Sequence, residues 1–562
     1  MNWIEYTESK WRNFDMTLLG VDESYINLLN ETSKPVLIYY RYEDCYMCAY
    51  QKLRYDKQII LDGSRSINFK IFDKDQGKYV FDNETNSICD IESYLGEFGV
   101  YNLSVLANKN CSVIVDKEPV NVHMPIVTLL LVTLLIALCY KLLIWTWNKY
   151  IKNRFCNAEN IQTTDDGKNK KKRLLSLDVF RGFVITLMIF VNSGGGHYFW
   201  IEHAPWNGLH VADVVFPWFL WIMGVAIPFS IHSQLNRSIS KMKLLKHIFV
   251  RSVKLFLIGL CLNSMFGPSL ENLRIMGVLQ RFGISYFVCA SFYLLFSKSN
   301  ISISQGRFAF YISDLIVMRE SLLLCLILII IYLTIIFGLK IPNCPQGYLG
   351  PGGIHDYAVN FNCTGGAIGY IDELILGRNH IYQHSTAKKL YNSKNFDPEG
   401  LFGCLMSIVQ VFLGIQCGTI FRIYSNFKAK CSRMIIWSVI LVIIGGSLCF
   451  FSKEDGAIPI NKNLWSLSFV MITSAMAFFV LLLLHVVIDE KEFWKGFPFL
   501  QAGMNSIILY VGHSVLHKML PWHWKIGLMN THFILALEAL WNTTLWLLIS
   551  CYLYKKNIFY NI

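Results

Sequence analysis

The chain has 562 residues, of which 54% are hydrophobic and 16% are charged, and its formal net charge is +12. Soluble globular chains carry about 25% charged residues. The composition therefore excludes a soluble multidomain enzyme, a disordered protein and a coiled coil, and it predicts a polytopic α-helical membrane protein. The positive residues fall in short runs between apolar segments, which is typical of cytoplasmic membrane loops and argues against nucleic-acid binding.

Residues 1–124 are predicted to form a small β-rich domain outside the membrane. Short apolar runs at 36–40, 67–72 and 112–115 read as strands, because Gly, Asp and Asn flank them. We expect a sandwich-like fold braced by disulfides. Residues 1–6 do not resemble a signal peptide. We therefore expect a leader ahead of this sequence, rather than translocation of the domain by the first span.

Eleven segments are predicted to cross the membrane, since a spanning helix needs about 20 mostly apolar residues. They are 125–147, 177–192, 210–231, 252–266, 275–296, 320–339, 402–421, 434–452, 464–487, 501–516 and 534–554. A basic linker at 148–173 separates the first span from a ten-helix domain over 174–562. This domain contains a long loop at 340–401.

The loops predict an orientation for the chain. Lys and Arg are concentrated on the side to which 148–173 belongs, and short cytosolic loops carry an excess of these residues. We therefore expect the N-terminus to be luminal and the C-terminus to be cytosolic.

Cysteines and glycosylation sequons agree with this orientation. The predicted luminal side carries Cys45, Cys48, Cys89, Cys111, Cys344 and Cys363, and sequons at Asn30, Asn83, Asn102, Asn110 and Asn362. Disulfides and N-linked glycans both form in a translocated, oxidising compartment. We expect a local disulfide between Cys45 and Cys48 rather than a redox motif or half of a zinc site. The pairing of the other four cysteines stays open.

Conspicuous polar groups interrupt the apolar sequence between residues 177 and 232. Asp178 and Arg181 are three apart and so share one helix face. Asn192 ends the same span before three glycines, His203 precedes the next span, and Asp213 lies at the start of that span. Polar groups at membrane depth are costly and indicate a functional site by default.

Most of the fourteen histidines are interpreted as core or solvated side chains. His197, His203 and His513 lie near predicted luminal span ends and are the candidates for chemistry. A metal site needs clustered ligands at short spacing. We see no such cluster in the sequence and expect no metal.

Motifs spread over 174–562 carry a family resemblance. They include Asp178-Val-Phe-Arg-Gly182, His203-Ala-Pro-Trp-Asn-Gly208, Val211-Ala-Asp-Val-Val-Phe-Pro-Trp218, Gly277-Val-Leu-Gln-Arg281, Asp397-Pro-Glu-Gly400, Asn461-Lys-Asn-Leu-Trp-Ser466 and Met504-Asn-Ser506. In this order they resemble the heparan-α-glucosaminide N-acetyltransferase family of the lysosomal membrane. The resemblance implies eleven spans and a homodimer. It also implies acetyl transfer from cytosolic acetyl-CoA to the terminal glucosamine amine of luminal heparan sulfate.

The resemblance also assigns site residues. His203 falls on the family's catalytic histidine and Asn192 on its polar partner. An imidazole can act as general base toward the amine, and an amide can stabilise the developing oxyanion. We expect Asp213 to orient the imidazole. The residues fit both direct transfer and an acetyl-His203 intermediate, and we favour direct transfer.

Because acetyl-CoA is cytosolic and His203 is predicted to be luminal, we expect a pocket that threads the helix bundle. The phosphates of acetyl-CoA need cations, and the candidates at the cytosolic ends are Arg181, Arg251, Lys254 and Arg281. Candidates for binding the sulfated sugar are Trp206, Arg274, Lys462 and Trp465. We expect the 340–401 loop to roof the site, since loops of this length are often functional.

Alternative functions fit parts of this pattern. A membrane acyltransferase that acts on another sugar would share the same motifs. A proton-coupled transporter would explain the internal Asp, Arg and His residues, but we find none of the inverted repeats typical of one. A structural or receptor role leaves Asn192, His203 and Asp213 unexplained.

Overall fold

The computed structural model describes most of the chain. The described residues are 3–4, 8–32, 34–53, 59–82, 87–106, 110–146, 173–265, 267, 269–296 and 312–560. The predicted basic linker, apart from its last residue, and the sequon at Asn83 lie outside them.

An N-terminal β-rich domain precedes the helices, as predicted. Its strands are β1 (Lys10–Trp11), β2 (Phe14–Asp15), β3 (Glu23–Asn30), β4 (Leu37–Tyr42), β5 (Tyr50–Lys52), β6 (Ile59–Asp62), β7 (Ile67–Phe72), β8 (Tyr79–Val80), β9 (Cys89–Ser93), β10 (Val100–Val105) and β11 (Cys111–Lys117). The predicted strands correspond to β4, β7 and β11.

Two main sheets pack against each other in this domain. One has the strand order β11-β10-β3-β6 and the other β8-β5-β4-β7-β9. Alternate apolar residues from both sheets, including Ile26 and Leu103 from one and Ile38 and Phe69 from the other, share one buried core. This alternation is what a half-buried strand requires, and it confirms the sandwich-like prediction.

The six predicted luminal-side cysteines form three disulfides. Cys45 pairs with Cys48, as expected, Cys344 pairs with Cys363, and Cys89 pairs with Cys111. The last of these joins β9 of one sheet to β11 of the other, so it braces the two sheets covalently. Among the described sequons, Asn30, Asn110 and Asn362 are exposed. Asn102 is half-buried, and its side-chain oxygen accepts a hydrogen bond from Asn27.

A helical bundle follows. Its helices are α1 (Met124–Thr146), α2 (Leu175–Asn192), α3 (Val211–Leu235), α4 (Lys241–Asn263), α5 (Val278–Phe296), α6 (Ser313–Val317), α7 (Arg319–Gly338), α8 (Gly366–Leu376), α9 (Thr386–Tyr391), α10 (Cys404–Ile423), α11 (Phe427–Leu448), α12 (Leu467–Leu484), α13 (Phe499–Met504), α14 (Ser506–Leu516) and α15 (His532–Lys555). A π-helical turn extends α12 to Glu490.

In the described part of the chain, nine helices are long and apolar enough to cross a membrane. They match nine of the eleven predicted spans. The predicted span 252–266 belongs to α4, which has 23 residues but carries several cations. The span 501–516 is the broken pair α13–α14, which runs along α2. A side chain at Gly503 would meet the Asp178 carbonyl near the start of α2, whereas His513 contacts Asn192 at its end.

Helix α3 occupies the centre of the bundle and packs closely against α10. A Cβ atom at Gly224 would lie 2.2 Å from the Val411 carbonyl oxygen, and one at Gly414 would lie 2.1 Å from that of Trp221. Small residues permit such close backbone approach in helical membrane proteins. The contact holds α3 in place and thereby positions its N-terminus, where the polar residues lie.

The β-rich domain sits on one end of the bundle, which we call the domain side; the opposite end is the far side. His532 Nε2, at the start of α15, lies 3.0 Å from the Asp22 carboxylate. Lys453, between α11 and α12, lies 3.3 Å from Asp44. The Tyr198 hydroxyl, in the loop after α2, donates to the Val122 carbonyl at 3.0 Å.

Candidate active site

Asp213 organises the loop that carries His203. It lies in the first turn of α3 and is fully buried. Its Oδ1 atom lies 2.7 Å from His203 Nδ1, and its Oδ2 atom accepts from the backbone amides of Ala204 at 3.1 Å and His210 at 3.0 Å. A carboxylate at a helix N-terminus is stabilised by unpaired amides and the helix dipole. Asp213 thus fixes both the loop and the orientation of the imidazole.

Lys462 lies against the same imidazole. Its Nζ atom is 3.1 Å from His203 Nδ1 and 3.2 Å from Nε2. The preceding residue, Asn461, donates to the Asn207 side-chain oxygen at 3.0 Å and so attaches this segment to the His203 loop. Lys462 is buried, whereas the His203 side chain is 37% exposed. The imidazole therefore has a carboxylate on Nδ1, an ammonium beside the ring and an open approach.

Asn192 meets a second histidine at the domain-side end of α2. Its amide nitrogen lies 3.1 Å from His513 Nε2, while His513 Nδ1 lies 3.0 Å from the Leu509 carbonyl oxygen. Because a carbonyl can only accept, Nδ1 carries the proton and Nε2 accepts from the amide. His513 is therefore a neutral side chain that orients Asn192.

The three glycines after Asn192 are explained by backbone geometry. Gly194, Gly195 and Gly196 all have positive φ angles, of 92°, 54° and 79°, which glycine adopts without steric cost. A Cβ atom at Gly196 would lie 2.8 Å from Ala536 Cβ on α15. The turn therefore packs against a neighbouring helix, and the glycines do not by themselves indicate a ligand.

A cavity of about 580 Å³ extends between the two sides of the bundle. At the domain side it is lined by Asn192, His203, Glu399 and Lys462. Its lining on α3 runs from Ala212 to Gln234, which is about 33 Å of helix and comparable to the roughly 30 Å hydrocarbon core of a bilayer. Apolar side chains, including Met188 and Phe219, line its middle.

Cations also line the cavity, on α2 and α4. They are Arg181, Arg251 and Lys254, three of the four residues that the sequence analysis selected for acetyl-CoA. Arg181 pairs with Asp178 at 3.5 Å, as their spacing predicts. Arg251 lies over the Tyr286 ring with its guanidinium carbon 4.6 Å from the centroid. Among the described residues, no carboxylate lines this part of the cavity, so it is suited to phosphate groups.

The structure separates Arg281 from these cations. It lies in the first turn of α5 at the domain side and does not line the cavity. It is buried, donates to the Gly400 carbonyl at 2.6 Å and lies over the Trp465 ring at 4.9 Å. The expectation that it lies at a cytosolic helix end is wrong, because Arg281 is in the first turn of α5, which begins at the domain side.

Arg274 is also engaged within the protein. It binds Asp397 through two hydrogen bonds, of 3.0 and 2.5 Å, and Glu399 at 2.7 Å. Arg274 and Arg281 thus both hold the Asp397–Gly400 turn. Of the four residues selected for the sugar, only Lys462 lines the cavity.

Trp206 and Trp465 are buried packing residues here. The indole of Trp206 donates to the Leu349 carbonyl at 2.9 Å and packs on Phe396. These contacts attach the 340–401 segment to the His203 loop, and the same segment contributes Glu399 to the cavity.

Two roles were missed from the sequence. In the sequence Glu399 stands out only as part of the Asp397–Gly400 motif, and Lys462 is predicted to bind the sugar rather than to contact His203. Lys462 and His203 are 259 residues apart, so no local spacing connects them. The signal that was available for Glu399 is a charged residue beside proline and glycine in a long loop.

The fold and site together define a multi-pass helical membrane protein with an imidazole–carboxylate pair at one end of a deep cavity and cations from α2 and α4 along its wall. No protein-family model matches the sequence. Two curated relatives do: heparan-alpha-glucosaminide N-acetyltransferase of Mus musculus is 38% identical, over 97% of this chain and 89% of the relative, and that of Homo sapiens is 39% identical, over 97% and 88%. The chain therefore belongs to the heparan-alpha-glucosaminide N-acetyltransferase family, a family of membrane acetyltransferases.

Proposed function

We propose that this protein transfers an acetyl group from cytosolic acetyl-CoA to the terminal glucosamine amine of heparan sulfate in the lysosomal lumen. The observation that carries the proposal is the cavity that reaches from the cations Arg181, Arg251 and Lys254 to His203. An elongated donor with phosphates at one end and a thioester at the other matches this distribution of charge. The names of the two relatives support the choice of acceptor.

In the proposed reaction His203 is the general base. Asp213 holds Nδ1, so Nε2 is directed toward the acceptor. Nε2 removes one proton from the acceptor ammonium, and the amine nitrogen attacks the thioester carbonyl carbon. As the C–N bond forms and the C–S bond breaks, the departing thiolate receives a second proton from that nitrogen. The proton on His203 then returns to solvent, so one proton is released per acetyl group.

Two cavity groups can stabilise the charge that develops on the carbonyl oxygen. Lys462 carries a positive charge beside His203, and Asn192 offers an amide at the same end of the cavity. Preorganised donors of this kind typically contribute 10²–10³ in rate. Direct transfer needs only these groups and His203 and is the mechanism that we favour; no metal is part of it.

The proposal includes a topology and an assembly. The domain side is luminal and the far side cytosolic, which is supported by the three disulfides on the domain side and by the oxidising compartment that disulfides require. The family resemblance further implies a homodimer in the bilayer. Glycosidase digestion of the protein from cells tests glycosylation at Asn30, Asn83, Asn102, Asn110 and Asn362, and mass measurement in detergent tests the dimer.

The function is tested with the purified full-length chain, radiolabelled acetyl-CoA and a glucosamine-terminated heparan oligosaccharide. We expect label on the oligosaccharide and initial-velocity patterns of a sequential mechanism. Parallel-line patterns and label on His203 would instead favour an acetyl-enzyme. Bound acetyl-CoA with transfer only to another sugar would identify a different acceptor, and no acetyl-CoA binding would favour a transporter.

A further inference from the structure

Glu399 is the one acidic side chain that lines the cavity within the described part of the chain. Its side chain is only 9% exposed, and the mechanism above assigns it no role. Charged side chains are rarely buried unless they are paired or functional.

The turn that presents Glu399 is held rigidly. Asp397 accepts from the backbone amides of Glu399 and Tyr382, both at 3.0 Å, and it also binds Arg274. At the next position, a Cβ atom on Gly400 would lie 1.9 Å from the Asp372 carboxylate, so a larger residue would have to displace that buried side chain. The carboxylate of Glu399 is therefore held in one place at the cavity wall.

The surroundings keep Glu399 ionised while leaving part of it unpaired. Burial acts to raise the pKa of Glu399, but the nearby cations Arg274, Lys462 and Arg281 outweigh burial and lower the pKa below its usual range. The Oε2 atom binds Arg274 at 2.7 Å. The Oε1 atom accepts no hydrogen bond from any described residue, although the side chain lines the cavity.

The cations near Glu399 are all shared with other groups. Arg274 is shared between Asp397 and Glu399. Lys462 contacts the His203 ring, and Arg281 donates to the Gly400 carbonyl. None of the three cations is therefore dedicated to Glu399. A cation that enters from solvent loses hydration and needs a carboxylate in return.

Resting on the proposed function, we propose that Glu399 binds the protonated amino group of the acceptor through Oε1 and thereby selects amino sugars over sugars with a hydroxyl or acylated amine at that position. Glu399 holds the ammonium beside His203, and His203 removes the proton.

The test compares Glu399→Gln with Glu373→Gln in the full-length protein. Glu373 is a matched control, because it belongs to the same 340–401 segment and also pairs with an arginine, Arg378 at 2.5 Å, but is 38% exposed and lies away from the cavity. We expect Glu399→Gln to raise the KM for glucosamine about 10- to 100-fold, which is typical for loss of a charged hydrogen bond. Its KM for acetyl-CoA stays unchanged, and Glu373→Gln behaves as wild type.

Asp397→Asn tests the support of Glu399. Asp397 shares Arg274 with Glu399 and accepts from the Glu399 backbone amide, but it does not line the cavity. Recognition therefore predicts that Asp397→Asn also raises the KM for glucosamine, while the KM for acetyl-CoA stays unchanged. A rise of both KM values in Glu399→Gln would indicate a purely structural role and would overturn the proposal.

A competition experiment on the wild-type protein tests whether the site prefers a cationic amine, even if Glu399→Gln does not fold. N,N-dimethylglucosamine keeps the cation and should inhibit transfer, whereas N-acetylglucosamine lacks it and should inhibit at least 10-fold more weakly. Equal inhibition would overturn the proposal. Absence of wild-type transfer to every amino sugar would instead refute the proposed function, so the two failures are distinguishable.

Discussion

The ammonium nitrogen of Lys462 lies 3.1 Å from Nδ1 and 3.2 Å from Nε2 of His203. Nearly equal distances place this nitrogen beside the ring as a whole rather than along the lone pair of Nε2. Asp213 already occupies Nδ1 at 2.7 Å. Nε2 is the ring nitrogen that does not face Asp213, and the Lys462 ammonium lies beside it.

Replacement of Lys462 by Met should lower kcat about 10²- to 10³-fold, because the variant loses a charge that stabilises the developing oxyanion. Lys453→Met is the control, because Lys453 lies on the same side of the bundle but pairs with Asp44 and is 46% exposed. Steady-state kinetics with glucosamine as the acceptor measure kcat for both variants. A higher KM for sulfated acceptors with unchanged kcat would contradict the prediction and support the sugar-binding role expected from the sequence.

Replacement of Arg251 by Ala should raise the KM for acetyl-CoA about tenfold, because a phosphate loses a charge-assisted hydrogen bond. The KM for S-acetyl-N-acetylcysteamine, an acetyl thioester without phosphates, should not change. Lys428→Met is the control: Lys428 is exposed near the start of α11 and does not line the cavity. Equal effects on both donors would exclude phosphate binding by Arg251.

The sequence could predict the parts of this protein that depend on local pattern. Apolar length predicts the spans, alternation predicts β4, β7 and β11, and polar residues at span ends predict the pair His203 and Asp213. The broken pair α13–α14 also followed from apolar length, although Asn505 interrupts the helix.

Roles that depend on distant partners could not be predicted. Arg274 and Arg281 look like ligand-binding cations, yet their partners are Asp397, Glu399 and the Gly400 carbonyl, more than 100 residues away. Trp465 looks like a sugar-binding aromatic residue, but it is buried beneath Arg281. Only the fold reveals which cations are already paired and which face the cavity.

Stability should depend on pH through Glu97, which lies between β9 and β10. Its Oε1 atom is 3.9 Å from His532 Nε2 on α15, which also binds Asp22. Burial is the main cause that raises the pKa of Glu97 to about 7. Repulsion by Asp22 also raises this pKa, whereas attraction to His532 lowers it. Because the folded state holds this proton more tightly than the unfolded chain, the stabilisation is fully present below pH 4.5 and is lost as the pH rises through 7.

The titration of Glu97 should lower the free energy of unfolding by up to about 3 kcal/mol between pH 4.5 and pH 7. Thermal unfolding of the full-length protein at pH 5 and pH 8 measures it. Wild type should unfold at a lower temperature at pH 8, and Glu97→Gln should reduce this difference. An equal pH dependence in both proteins would show that Glu97 does not contribute.

The most direct test of the central claim is transfer of radiolabelled acetyl from acetyl-CoA to glucosamine by His203→Ala. His384→Ala serves as the matched control, because His384 is an exposed domain-side histidine outside the cavity. We predict that His203→Ala folds, binds acetyl-CoA and transfers at least about 10²-fold more slowly, as expected for loss of a general base, while His384→Ala transfers at the wild-type rate. A folded His203→Ala protein that binds acetyl-CoA and transfers at the wild-type rate would contradict the account.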